Sequence, residues 1–137
     1  MSGSLGVPWP VGDDERLSRF IFQRDRIRAD GSVKPDAFIP HPWPDLSVTR
    51  QLSWTEDDIW KVGREISKTS QRPLHGRTDV IATQFREHRL LVVADPTPDN
   101  SHHANVRNWP SEKSAQKAIA QLIAASASKA LKPPTGA

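Results

Sequence analysis

The chain has 137 residues, a net charge of +3, only 36% hydrophobic residues and as many as 12 prolines. This length predicts one domain with a sizeable core, whereas the low apolar fraction and the prolines indicate that part of the chain is not packed. The lack of cysteine excludes disulfides and thiolate chemistry and favours a reducing, cytoplasmic compartment. No apolar run approaches the ~20 residues that cross a bilayer, so we expect no membrane partner.

The folded domain is predicted to span residues 16–131. Residues 1–15 have no periodicity of 2 or 3.6, and residues 132–137 contain prolines that cannot continue a helix. We therefore expect flexible segments at 1–15 and 132–137, and we expect residues 1–15 to be dispensable for folding.

The first elements in chain order are two strands and an extended segment between them. Residues 20–22 predict a short strand, with Phe20 and Phe22 facing the core. Four prolines in residues 35–45 predict an extended surface segment pinned by its apolar side chains, Trp43 among them. Presentation of this segment to a partner as a polyproline ligand is the alternative. Alternation at Leu46 and Val48 predicts the second strand.

The clearest helix start follows at Thr55, a predicted N-cap with Asp58 three residues later. Its buried stripe is expected at Ile59, Val62 and Ile66, and Gly63 would permit close packing against a strand.

Residues 79–94 predict a β-hairpin, with arms at 79–85 and 89–94 joined by residues 86–88. The apolar run 90–93 would be a central strand covered on both faces. Ser111 is the expected cap of a final helix, whose apolar face Trp109 would cover. The order β–β–α–β–β–α predicts an α+β fold, a small and mostly antiparallel sheet of four to five strands with two helices packed on it.

The stretch "HHANVRNWP" at residues 102–110 resembles the "HAN-x-x-x-WP" ending of small uncharacterised bacterial proteins, and "LSVTR" and "DIWKVG" fit the same pattern. The resemblance covers residues 19 to about 125. It implies no activity, but it implies that Arg50, His103, Asn105 and Trp109 belong to one pattern.

A metal site has one candidate, the loop that carries Asp95, Asp99, His102 and His103. Loops rich in Asp, Pro, Asn and Ser are usually turns, so we predict neither a metal nor a cofactor. The chain also lacks phosphate-cradling and nucleophile-elbow motifs.

Our first functional hypothesis is a non-enzymatic protein-binding module that works beside a larger partner or as a homo-oligomer. Five tryptophans without a tyrosine are more large aromatic surface than such a core needs, and tryptophan and arginine are favoured interface anchors. The candidate binding residues are Trp43, Arg50, His103, Asn105 and Arg107.

The second hypothesis is a metal-independent RNA-binding or RNA-cleaving protein, because histidine and arginine can supply a base, an acid and a cation. No catalytic residue is assigned, and the candidates are His75, Arg77, His102, His103 and Arg107. The alternative is that residues 101–110 only lead into the final helix. A basic cleft around His75, Arg77, His102 and His103 would favour RNA, and an apolar patch with Trp43 would favour a protein partner.

Overall fold

A computed structural model describes residues 10–134. This part of the chain contains five strands, Arg16–Ile21 (β1), Leu46–Arg50 (β2), Gly76–Ile81 (β3), Leu91–Ala94 (β4) and His103–Arg107 (β5). It also contains three α-helices, Glu56–Ser70 (α1), Ala82–Arg86 (α2) and Lys113–Ser126 (α3), and two short 3-10 helices, Arg24–Arg26 and Pro35–Phe38. The strands form one antiparallel sheet in the order β3-β1-β2-β5-β4. The predicted α+β class is confirmed, and α2 is a short helix beyond the two expected.

One face of the sheet carries the hydrophobic core. Alternate residues of every strand point to the same face of a sheet, and here these positions are apolar and buried, as at Leu17, Val48 and Val106. Helix α3 covers them with Ala120 and Ile123, both 0% exposed. Phe38 from the second 3-10 helix and Phe85 from α2 close the same cluster.

Helix α1 packs on the opposite face over β1 and β3. The predicted start is confirmed, because Thr55 Oγ1 accepts the backbone N–H of Asp58 and the Asp58 carboxylate accepts that of Thr55. The close packing expected at Gly63 is also present, since a Cβ there would lie 2.7 Å from the Phe20 ring. The buried helix residues are Ile59, Trp60 and Gly63, whereas Val62 and Ile66 are only half-buried.

The predicted hairpin at residues 79–94 is wrong. Residues 82–86 form α2, whose Ala82 and Phe85, three residues apart, are both 0% exposed. This helix carries the chain from β3 to β4 at opposite edges of the sheet. The apolar run 90–93 is therefore not a central strand, and Leu91 on β4 is 55% exposed.

The expectation that residues 101–110 only lead into a helix is also wrong. Residues 103–107 form β5, which pairs with β2 on one side and β4 on the other. Ala104 and Val106 face the core, and His103 and Asn105 face the other side. The final helix begins at Lys113 after Glu112, and Ser111 is not its cap. Trp109 does pack against the core, and its Nε1–H donates to the Val106 carbonyl at 2.9 Å.

Both ends of the described chain are bound to the sheet. Residues 10–15, assigned above to the flexible N-terminal segment, bury Val11 to 4% exposure, and Glu15 pairs with Arg50 at 2.7 Å. The folded body thus begins before the predicted boundary at residue 16. Near the other end, Leu131 exchanges two backbone hydrogen bonds with Arg77 along the outer edge of β3. Residues 1–9 and 135–137 lie outside the described residues. None of the helices between residues 10 and 134 is long and apolar enough to cross a membrane.

Candidate binding cleft

A cleft of about 570 Å³ opens on the sheet face that α1 covers only in part. Strands β1 and β2 share two registered pairs, Leu17 with Arg50 and Ser18 with Thr49. Beyond these pairs a side chain bridges the two strands, because Arg19 Nη1 donates to the Ser47 carbonyl at 3.0 Å. The cleft follows this part of β2, with α1 on one side and the turn at residues 40–44 on the other.

The floor of the cleft is polar and held by hydrogen bonds. It is formed by Ser47 and Thr49 of β2 and by His103 and Asn105, their partners on β5. Asn105 Nδ2 donates to Asp95 Oδ2 at 2.8 Å. His103 Nδ1 lies 2.8 Å from the Asp95 carbonyl, and since a carbonyl can only accept, Nδ1 carries the proton. The Thr49 hydroxyl accepts from Asn100 Nδ2 at 3.0 Å, so the floor is pre-organised.

Apolar side chains line both sides of the cleft. Pro40, Trp43 and Pro44 form one wall, while Phe22 and Ile66 belong to the other. The backbone N–H of Trp43 donates to the Pro40 carbonyl at 2.9 Å, which closes the turn. The Trp43 side chain is nevertheless 71% exposed, the most exposed of the large hydrophobic side chains in the described residues.

Two arginines and two aspartates also line the cleft. Asp45 accepts from Arg107 Nε at 3.2 Å, while Asp99 is exposed. Burial, together with the positive charges of Arg26 and Arg72, lowers the pKa of Arg19 to about 10. The cationic end of the cleft is therefore at Arg19 and Arg72.

The structure brings three of the five predicted binding residues together. Trp43, His103 and Asn105 line the same cleft, and Arg107 contacts the cleft-lining Asp45. Arg50 does not line it. Its side chain is 1% exposed and donates to both Glu15 oxygens, at 2.8 and 2.7 Å, so it fastens the N-terminal segment to the sheet.

His102 immediately precedes β5 and is buried, and it does not line the cleft. Its ring stacks on Trp54 with centroids 3.5 Å apart and an angle of 6° between the planes. Its Nδ1–H donates to the Arg50 carbonyl at 2.7 Å. Burial lowers the pKa of His102, more than the Arg50 carbonyl raises it, which favours the neutral ring.

The basic pocket predicted for RNA binding or cleavage does not form, because its residues lie apart. Arg77 is 1% exposed, donates to both Glu56 oxygens at 2.9 Å and to Asp79 at 3.1 Å, and lies 4.8 Å from the centre of the Trp60 ring. It lies on β3, three strand spacings from His103 on β5, or about 14 Å. His75, half-buried, immediately precedes β3.

The candidate metal loop does not converge either. Asp95 contacts His103 and Asn105, but His102 is held between Trp54 and the Arg50 carbonyl. Between residues 10 and 134, no group of three or more His, Asp or Glu side chains could hold a metal ion.

Sequence reasoning missed four side chains that shape the cleft, namely Arg19, Arg72, Phe22 as a wall and Asn100. Arg19 gave one usable signal, because it is an arginine within a strand, between Ser18 and the apolar residues 20–22. Arg72 follows the end of α1, and no local pattern distinguishes it from an ordinary surface arginine.

Comparison of the chain with protein-family models, with curated proteins and with solved structures gave no match. The resemblance to small bacterial proteins stays a prediction.

Proposed function

We propose that this protein is a non-enzymatic binding module that holds an extended segment of a larger partner protein in the cleft. The observation that carries the proposal is Trp43, which is 71% exposed beside a cleft with apolar walls. Large aromatic side chains in such positions are the residues that most often dominate protein–protein binding. The cysteine-free sequence is consistent with action in the cytoplasm.

The dimensions of the cleft support an extended occupant. Its floor follows β2 from Leu46 to Thr49, and four residues of strand span about 13 Å. A bound segment of about four residues fits this length. The volume of the cleft, about 570 Å³, also lies within the range of roughly 300–1,000 Å³ that is usual for ligand sites.

The arrangement of polar groups supports binding rather than catalysis. The histidine and asparagine of the floor are already engaged with Asp95, which suits fixed recognition. The alternative, RNA binding or cleavage through a His/Arg pocket, receives less support because Arg77 and His102 are buried in contacts of their own. A basic cleft around His75, Arg77, His102 and His103 would have favoured RNA, and an apolar patch with Trp43 would favour a protein partner. The exposed Trp43 therefore favours the protein partner.

The test is selection of random twelve-residue peptides displayed on phage, followed by titration of the best peptide. We expect Trp43→Ala to weaken its binding about 30-fold or more, because hot-spot truncations cost at least ~2 kcal/mol. Leu122→Ala is the matched control, since Leu122 is 58% exposed but lies on α3, away from the cleft. It should leave the affinity unchanged.

Three outcomes would contradict the proposal. One is the absence of any selected peptide, and another is equal binding by Trp43→Ala. The third is tight binding of single-stranded RNA that Trp43→Ala does not affect, which would favour the RNA alternative. Sedimentation should find a monomer, whereas a dimer that Trp43→Ala dissociates would identify the occupant as a second copy of this chain.

A further inference from the structure

Two arginines that line the cleft, and a third whose charge acts on one of them, have no acidic partner in the described residues. Arg50, Arg77, Arg86 and Arg107 each form an ion pair, but none of the carboxylates between residues 10 and 134 pairs with Arg19, Arg26 or Arg72. Of these three, Arg19 and Arg72 line the cleft itself.

Arg19 uses only part of its hydrogen-bonding capacity. Its Nε donates to the Ala37 carbonyl at 2.9 Å and its Nη1 to the Ser47 carbonyl at 3.0 Å. Both acceptors are neutral, and Nη2 has no hydrogen-bond partner among residues 10–134. A guanidinium offers five N–H groups, so Arg19 is held in position with donors to spare. Burial and the neighbouring Arg26 and Arg72 lower its pKa to about 10, which is the environment that a bound anion would relieve.

Arg72 lines the same cleft as Arg19. Its guanidinium carbon is 4.7 Å from the centre of the Phe22 ring, so the ring orients the planar group and leaves its N–H edges accessible. Arg72 is exposed, and its positive charge is near enough to Arg19 to lower the pKa of that residue.

The carboxylates of the cleft do not neutralise this end. Asp45 is occupied by Arg107 at 3.2 Å. Asp99 lines the cleft but forms no ion pair with Arg19 or Arg72 in the described part of the chain. The charge left at the Arg19 end is therefore positive.

We infer that the segment bound in the cleft carries an aspartate or glutamate whose carboxylate binds between Arg19 and Arg72. This inference rests on the proposed function and adds the chemistry of the partner. Arginine matches a carboxylate in a bidentate geometry, and charge-assisted hydrogen bonds of this kind are about twice as strong as neutral ones. The partner segment thus combines an acidic side chain with an apolar one that packs on Trp43.

The experiment compares peptides selected on the wild-type protein with those selected on Arg72→Gln. The wild type should enrich an acidic residue at a fixed position, and Arg72→Gln should show a weaker enrichment while still selecting peptides through Trp43. In titrations with the best acidic peptide and its Gln analogue, the wild type should prefer the acidic form about tenfold or more. Arg72→Gln should keep only a smaller preference, because Arg19 alone remains to bind the carboxylate.

Lys117→Gln is the matched control, because it removes one positive charge from an exposed site on α3. It should retain the full preference for the acidic peptide, and since Arg72 is itself exposed, both variants should melt like the wild type. Selected peptides that bind through Trp43 without an acidic preference would overturn this inference and leave the proposed function standing. Equal discrimination by the wild type and Arg72→Gln would overturn it in the same way. Failure to select any peptide would overturn both.

Discussion

A single buried histidine links three parts of the chain. His102 stacks on Trp54 just before α1 and donates to the carbonyl of Arg50. Arg50 in turn holds Glu15 of the N-terminal segment. Burial raises the pKa of Glu15, but the hydrogen bonds from Arg50 and from the Gly12 N–H outweigh it and lower the pKa overall. His102 also has a lowered pKa, chiefly through burial.

The two lowered pKa values predict how stability depends on pH. A group with a lower pKa in the folded state contributes stability above its unfolded pKa and loses it as the pH falls. We expect the melting temperature to be constant above the ordinary histidine pKa of 6.5 and to fall below it as His102 is forced to ionise. A second fall should begin below 4.5, the ordinary pKa of a glutamate.

The measurement is thermal melting from pH 8 to pH 4. His102→Phe keeps an aromatic ring against Trp54 but cannot ionise, so it should lack the first fall and keep the second. His41→Gln is the control, because His41 is exposed, and it should behave like the wild type. A first fall that persists in His102→Phe would assign it to another group.

At the scale of secondary structure, the contact between α1 and β1 shapes one wall of the cleft. Gly63 lets the helix approach the ring of Phe20, which itself lines the cleft. A Cβ at residue 63 would meet that ring at 2.7 and 2.9 Å and Leu74 at 3.2 Å. Because Phe20 is buried to 8% exposure, the ring has little room to withdraw.

Gly63→Ala should therefore destabilise the protein, although alanine is the better helix former by roughly 1 kcal/mol. Overpacking costs about 1–3 kcal/mol, and we expect the free energy of unfolding in urea to fall by that order. Phe20→Leu supplies the space that the added methyl group needs. The double variant should therefore lose less unfolding free energy than the sum of the losses in the two single variants. Strict additivity, or a stabilising Gly63→Ala, would contradict this account of the contact.

The sequence predicts a secondary-structure element well when the interactions that form it lie close together along the chain. The start of α1 was predicted because the bonds between Thr55 and Asp58 lie within four residues of chain. Helix α2 and strand β5 were missed because the residues of α2 also fit the end of a hairpin arm, and the polar residues of β5 also fit the entry to a helix. The strand order depends on contacts between distant segments, and no local pattern encodes them.

The candidate site was predictable to a similar degree. Trp43, His103 and Asn105 were chosen because their residue types suit recognition, and they do line one cleft. Arg19 and Arg72 were not chosen, because their significance comes from lining one cleft without an ion pair to a carboxylate of the described residues. That property exists only after β1, β2 and α1 have come together.

At the scale of the whole molecule, the N-terminal segment acts as a structural part of the domain. Val11 is in the core, the Ala82 N–H donates to the Glu15 carbonyl, and the Thr83 N–H donates to the Asp13 carbonyl. Arg86 also donates to Asp13 and to the Val11 carbonyl, both at 2.7 Å. These contacts join residues 10–15 to α2 and to Arg50.

A truncated chain that begins at Arg16 should consequently be much less stable than one that begins at Pro10. Without Glu15, the buried guanidinium of Arg50 loses its carboxylate, and breaking such a buried pair costs about 3–5 kcal/mol. We expect the melting temperature to fall by about 10 °C or more. The two truncations differ only in residues 10–15, so melting curves that superimpose would return the start of the domain to residue 16.

The position of β5 has a consequence for how the chain folds. It is the last strand to be synthesised in the described chain, yet it lies between β2 and β4. Its pairing joins Leu46 to Val106, a separation of 60 residues, and such distant loop closures slow folding. Until residue 107 has left the ribosome, β2 exposes an unpaired edge and β4 has no partner. An open strand edge recruits other chains, so the nascent protein is prone to aggregate until β5 has left the ribosome and paired with both strands.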